Sequence, residues 1–184
     1  MKNRTFRNSL FMLLTVVTVI LSGCKKDQYT KDKELIDAYL KKNNITGTVT
    51  TESGLVYRVI SNPDGDLDRG YYIPDRNVPK VNEIFADIGQ TVRLNYEGRF
   101  LDDVVFDRNS AGNPLQTPIG VGGLVPGFDE GVLQMPENAV FEFYIPSKLG
   151  YGSRGSTGVP ANSVLIFEVE LVNIIQTGWE DSEE

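Results

Sequence analysis

The spacing of apolar positions changes along this 184-residue chain, and each change marks a different element. A nearly unbroken apolar run from Leu10 to Leu21 gives way to a polar stretch that lasts through Lys33. Leu35, Ile36, Tyr39 and Leu40 then recur at helical spacing, which predicts one short amphipathic helix with Thr30 or Asp32 as cap and Asn43-Asn44 as stop. Such a helix lays one apolar stripe on a neighbouring surface; the alternative is a contact between two copies of the chain. Gly54 to Ile60 reads as a strand. The segment 62–88, punctuated by Pro63-Asp64-Gly65, Pro74 and Pro79, reads as a long loop that either decorates an edge or carries a partner contact.

From Thr91 the period becomes two. Val92, Leu94 and Tyr96 face one way and Arg93, Asn95 and Glu97 the other, as in a half-buried strand. Asp102-Asp103 marks a turn before Val104 to Phe106. Pro126 suits a first helical position and Pro136 stops a helix, so about ten residues ending at Met135 are predicted helical, with Phe128, Val132 and Leu133 as the apolar face. It is the one helix expected in this half. Phe141, Phe143 and Ile145 alternate with Val140, Glu142 and Tyr144; Leu165, Phe167, Val169 and Leu171 alternate with Ile166, Glu168, Glu170 and Val172. Antiparallel strands with one short helix against them make an α+β domain, in which the helix covers the apolar face of a single sheet.

A hydrophobic content of 40% over this length supports one globular domain plus tails. The beginning adds an address. Lys2, Arg4 and Arg7, the run from Leu10 to Leu21 and then Leu21-Ser22-Gly23-Cys24 follow the plan of an export signal, with an apolar run too short to span a bilayer. Leu-Ser-Gly-Cys resembles the lipobox of bacterial lipoproteins, in which the cysteine becomes the lipidated first residue. Cys24 is the only cysteine in the chain. The predicted organisation is a lipoprotein signal peptide over 1–23, a tether with the short helix over 24–50, a folded domain over 51–176 and an acidic tail over 177–184. Losing residues 1–23 removes three cations and no anion, which moves the net charge from −7 to −10 and argues against nucleic acid as a partner. The expected location is outside the cytoplasm, on a bacterial membrane through lipid on Cys24.

The chain has no histidine, so Ser-His-Asp and Cys-His sites and histidine metal ligands are unavailable. Ser147-Lys148 are sequence neighbours whose side chains point apart. Gly120-Val121-Gly122-Gly123 lacks the lysine and hydroxyl residue of a phosphate loop and reads as a turn before the helix. No spacing among the acidic residues singles out a carboxylate pair for sugar hydrolysis. What remains is a set of apolar and aromatic residues in the C-terminal half that suits an apolar pocket with a few polar groups.

In that set, Tyr96-Glu97-Gly98, Val105-Phe106-Asp107, Val125-Pro126-Gly127-Phe128, Gly131-Val132-Leu133-Gln134-Met135, Tyr151-Gly152 and Leu165 to Leu171 together resemble the FKBP-type peptidyl-prolyl cis-trans isomerases. The core motifs run over 91–174, and Ser53-Gly54-Leu55 is similar to the start of bacterial exported members. The resemblance implies a curled antiparallel sheet of about five or six strands around the helix from Pro126. It implies a catalytic pocket built by Tyr96, Phe106, Asp107, Val125, Phe128, Tyr151 and Phe167, with Leu124 among its walls and Leu115 and Val159 at its edges. The Val125 N–H and the Tyr151 hydroxyl would each hold a substrate carbonyl. Proline-containing polypeptides are the implied partners and a macrolide is an implied ligand; no cofactor or metal is implied. The chain departs from the family pattern at Phe128, where tryptophan is common. It also departs over 108–113, which is short and lacks the usual arginine partner of the aspartate, a place that Arg108 or Arg154 could take, and near Val159.

The chemistry suits these residue types without a nucleophile. Rotation about an X-Pro bond faces a barrier of about 18–20 kcal/mol because the planar amide has partial double-bond character. The twisted transition state is less charge-separated than the planar form, so an apolar pocket penalises the ground state more. Bringing a process of tens to hundreds of seconds to milliseconds needs about 10⁴–10⁵-fold, or roughly 5–7 kcal/mol. The alternative on the same fold is a peptide-binding chaperone without turnover.

Overall fold

The computed structural model describes residues 26–62, 83–109 and 112–175. The expected signal peptide, Cys24, the acidic tail and most of the long loop lie outside the described residues.

The first helix, α1 (Gln28–Lys42), begins one turn earlier than its apolar spacing predicts. Its N-cap is Asp27, whose carboxylate accepts from the Thr30 N–H at 3.0 Å and from the Thr30 hydroxyl at 2.8 Å. Thr30 thus sits inside the first turn as a donor to the cap, and Asp32 is buried for a different purpose. Asn43 and Asn44 do end the helix, the latter at φ 54°.

Seven strands follow: β1 (Val49–Thr50), β2 (Val56–Ser61), β3 (Thr91–Arg99), β4 (Val105–Arg108), β5 (Leu115–Pro118), β6 (Val140–Ile145) and β7 (Leu165–Ile175). They form one antiparallel sheet in the order β1-β2-β6-β7-β3-β4, with β5 also paired to β3. The sequence pattern did not reveal the two-residue β1 or the separate β5, because strands this short carry too few residues for a period to emerge. The second helix, α2 (Pro126–Val132), is shorter than predicted. Beyond Val132 the chain tightens, with Gln134 donating to the Gly131 carbonyl and Met135 to the Val132 carbonyl, each at 3.0 Å, before Pro136. A further turn of 3₁₀-helix, Ser147–Leu149, adds a helical element that the sequence reading did not predict.

The helix α2 lies on the concave face of the sheet at unusually close range. A Cβ on Gly131 would stand 2.7 Å from the Phe143 ring, and one on Gly127 would stand 2.6 Å from the Ile145 side chain. Two glycines one turn apart therefore let the helix backbone rest on β6. The main core gathers there: Val92, Leu94, Phe128, Val132, Phe141, Phe143, Phe167, Val169 and Leu171 are all buried.

The alternation in β6 and β7 predicts Tyr144 and Ile166 on an outward face, and they do lie opposite the main core. They are nonetheless fully buried, because Ile36 and Tyr39 of α1 cover them together with Val56 and Val164. Ile36, Tyr39 and Leu40 of the expected stripe thus pack on the chain's own sheet, while Leu35 stays 48% exposed. Glu142 shares that face and is 1% exposed. It accepts from Arg58 at 2.6 Å and from Arg99 and the Tyr144 hydroxyl. Burial pushes its carboxyl up, but these three donors outweigh burial and hold it below the usual carboxylate range.

Candidate functional site

On the concave face, strand β3 and helix α2 present aromatic side chains to the same space. Phe128, on α2, meets Tyr96 of β3 edge-to-face at 5.8 Å between ring centroids and Phe167 of β7 at 5.1 Å. Phe167 in turn meets Phe106 of β4 at 5.4 Å. Edge-to-face contacts of this kind fix ring orientation beyond what burial alone would do. The cluster closes over Gly98, where a Cβ would stand 2.6 Å from Phe167 and 2.8 Å from Phe106.

Above Phe128 and Phe167 lies a cleft of about 360 Å³. Tyr96, Asp107, Leu115, Leu124, Val125, Phe128, Tyr151 and Phe167, all predicted from the sequence, line it, and Gly123 and Pro126 complete it. Two predicted residues do not line it. Phe106 stands behind Phe167, tilted against Phe100 at 4.8 Å. Val159 is 5% exposed and points into the core, because it closes a tight turn in which it and Ser156 exchange backbone hydrogen bonds at 2.9 Å.

The polar groups of the cleft are few. The Tyr96 hydroxyl donates to Asp107 at 3.0 Å. Burial and the Asp107 carboxylate push the Tyr96 phenol up to about 12. Burial, with Asp107 nearby, also raises the Tyr151 phenol. The partner of Asp107 is therefore a tyrosine, in place of the expected Arg108 or Arg154; Arg108 turns outward to Glu97 at 3.9 Å. Among the described residues neither the Val125 N–H nor the Tyr151 hydroxyl has a hydrogen-bond partner. Both are donors at the wall of a mainly apolar cleft.

Two further residues hold this arrangement and gave no signal in the sequence. Asp129, in the first turn of α2 and 6% exposed, accepts from the Gly120 N–H at 3.1 Å and the Gly122 N–H at 3.0 Å. It thereby fixes the loop that delivers Gly123, Leu124 and Val125. Asn109 accepts from the Tyr96 N–H and donates to the Leu94 carbonyl, each at 2.7 Å, pinning the end of β4 to β3 beside the cleft.

Residues 82–172 match the family model of the FKBP-type peptidyl-prolyl cis-trans isomerases. The chain is 36% identical over 145 residues to the FKBP-type isomerase FkpA of Aeromonas hydrophila, covering 78% of this chain and 46% of that protein. It is 37% identical over 140 residues to the FKBP-type 22 kDa isomerase of Escherichia coli, covering 74% and 58%. Among solved structures, FkpA from Escherichia coli matches with a TM-score of 0.58 at 28% identity, over 80% of this chain and 62% of that one. The chain thus spans about half the length of the curated relatives it matches.

Proposed function

With residues 82–172 belonging to the FKBP-type peptidyl-prolyl cis-trans isomerase family, we propose that this protein accelerates rotation about the peptide bond preceding proline in exported or surface polypeptides. The observation that carries the reading is the cleft itself, where Tyr96, Phe128 and Phe167 wall a space bordered by two donors, the Val125 N–H and the Tyr151 hydroxyl.

The proline ring enters against Phe128 and Phe167, which strips water from the preceding amide. The planar amide is the more dipolar form, so its loss of hydration weighs more heavily than that of the twisted form. The Val125 N–H holds the substrate carbonyl after proline and the Tyr151 hydroxyl holds another, which anchors the chain on one side while the amide preceding proline rotates. The Tyr96 hydroxyl donates to Asp107 and keeps that carboxylate turned along the wall. No proton changes hands and no covalent bond forms. The family binds proline-containing peptides and macrolides such as FK506, and we assign a macrolide to the same cleft.

The setting belongs to the proposal too. The three cations, the run from Leu10 to Leu21 and the Leu-Ser-Gly-Cys sequence support export and lipid on Cys24. Labelled fatty acid should enter the wild-type protein in a bacterial host and be absent from Cys24→Ala; equal labelling would remove the anchor. For the reaction, exchange NMR on an Ala-Leu-Pro-Phe peptide should show faster cis-trans exchange with the purified protein than in buffer, and equal rates would overturn the isomerase reading. A second reading, a peptide-binding chaperone, is favoured by Phe128 on the floor where the family often has tryptophan. It requires suppression of client aggregation to persist in Phe128→Ala.

A further inference from the structure

The helix α1 lies before the matched segment 82–172, yet one of its side chains reaches the turn that leads into Tyr151. Asp32 is completely buried. One carboxylate oxygen accepts from Gln28 at 2.7 Å; the other accepts from both the N–H and the hydroxyl of Ser147, at 2.9 and 2.6 Å, across 115 positions of sequence. Ser147 opens the 3₁₀ turn, where a backbone N–H has no partner within the turn, so the carboxylate caps it.

The carbonyl of the same Ser147 accepts from Gly150 at 3.0 Å and from Gly152 at 2.8 Å, the residues on either side of Tyr151. Ser147 is therefore a hub: it donates twice to Asp32 and holds the backbone that presents Tyr151. The other wall has a matching tie. Ser53 donates to Glu130 of α2 at 2.7 Å, and a Cβ on the neighbouring Gly54 would meet the Tyr29 ring of α1 at 2.6 Å. Lys148, next to the hub, lies over that ring at 4.1 Å from its centroid.

We propose that Asp32 is a positioning residue for the isomerase site, acting through Ser147 to set where the Tyr151 hydroxyl stands relative to Phe128. The proposal rests on reading the cleft as an isomerase site. A buried carboxylate with three donors and, among the described residues, no cation is costly to hold for packing alone, and two of its hydrogen bonds run to the segment that presents Tyr151, one of the two cleft donors. A small displacement of such a donor costs catalysis out of proportion to its effect on folding.

The test compares the full chain with Asp32→Ala, Asp32→Asn and Ser147→Ala, reading peptide exchange rates and amide hydrogen exchange at Gly150 and Gly152. Asp32→Ala should keep its tertiary circular dichroism, lose about tenfold in kcat/KM with most of the loss in kcat, and speed exchange at both glycines. Asp32→Asn retains an acceptor for Ser147, since Gln28 can turn its amide to receive the new NH2, and should recover most of the rate. Should Asp32→Ala fail to fold, Ser147→Ala, which removes one bond of the two, should show the same pattern at smaller amplitude. Wild-type kcat/KM and unchanged glycine exchange in a folded Asp32→Ala or in Ser147→Ala would overturn the proposal. If the wild-type protein gives no acceleration, the isomerase reading fails, and glycine exchange in the variants still decides whether Asp32 holds the Tyr151 loop.

Discussion

The Tyr96 hydroxyl donates to the Asp107 carboxylate at 3.0 Å, joining β3 to β4 across the wall of the cleft. A bond to a charged acceptor contributes about 1.5–3 kcal/mol where it is sheltered, and Asp107 is exposed, so the lower end applies. Tyr96→Phe keeps the ring and should lower kcat/KM by about tenfold. Asp107→Asn should cost a similar factor. The double variant should cost little more than either alone, because the two act through one bond; additive losses in the exchange assay would show separate roles.

Phe128 makes three edge-to-face contacts, with Tyr96, Phe143 and Phe167. Phe128→Ala should destabilise the protein by about 3–5 kcal/mol in urea titration, through lost burial and the cavity left behind. Its peptide exchange rate should fall close to that of buffer even under conditions where the variant stays folded.

Gly98 lies beneath two rings that leave no room for a methyl group. Gly98→Ala should cost about 1–3 kcal/mol and should displace Phe167 and Phe106. Ring-current-shifted proton signals from both rings should move; an unchanged spectrum would contradict the close approach.

Glu142 is buried with two guanidiniums and a phenol directed at it. Glu142→Ala takes the buried carboxylate from Arg58 and Arg99, leaving Arg99 with Asp103 at 3.5 Å, and should cost about 3 kcal/mol. Glu142→Gln, which keeps the acceptor, should cost less.

Stability should bend at both ends of the pH range. The Glu142 carboxyl is lowered from 4.5, so its contribution is complete above about pH 4.5 and fades as pH falls through the lower folded value. The Tyr96 phenol is raised from 10.0 to about 12, so its contribution is complete below about pH 10 and fades as pH climbs through the folded value. Denaturation followed from pH 3 to 12 should therefore show a Tyr96→Phe protein less sensitive than wild type on the alkaline side.

Strands β3 and β7 were legible because their residues alternate, whereas β5, which brings Leu115 to the cleft, was too short to show a period; Tyr96, Phe128 and Phe167 were legible because several motifs stand in register. The supports were not. Asp32 and Ser147 lie 115 positions apart, and neither belongs to a local pattern that anticipates the other. Asp129 reads as an ordinary acidic residue in a helix's first turn until two glycine N–H groups are seen to converge on it. The burial of Tyr144 and Ile166 was hidden for a similar reason. Alternation tells which face of a strand a residue occupies, and only the placement of α1 tells whether that face is wet.

The cluster around Glu142 also bears on how the sheet finds its alignment. Its cations come from β2 and β3, its acid and phenol from β6, and Arg58 stands directly across from Glu142 in the β2–β6 pairing. A slip of one position on either side would turn Glu142 toward the aromatic core and leave it without cations. Misaligned chains thus carry an uncompensated buried charge, and the charge cluster selects among the pairings that apolar side chains alone would tolerate.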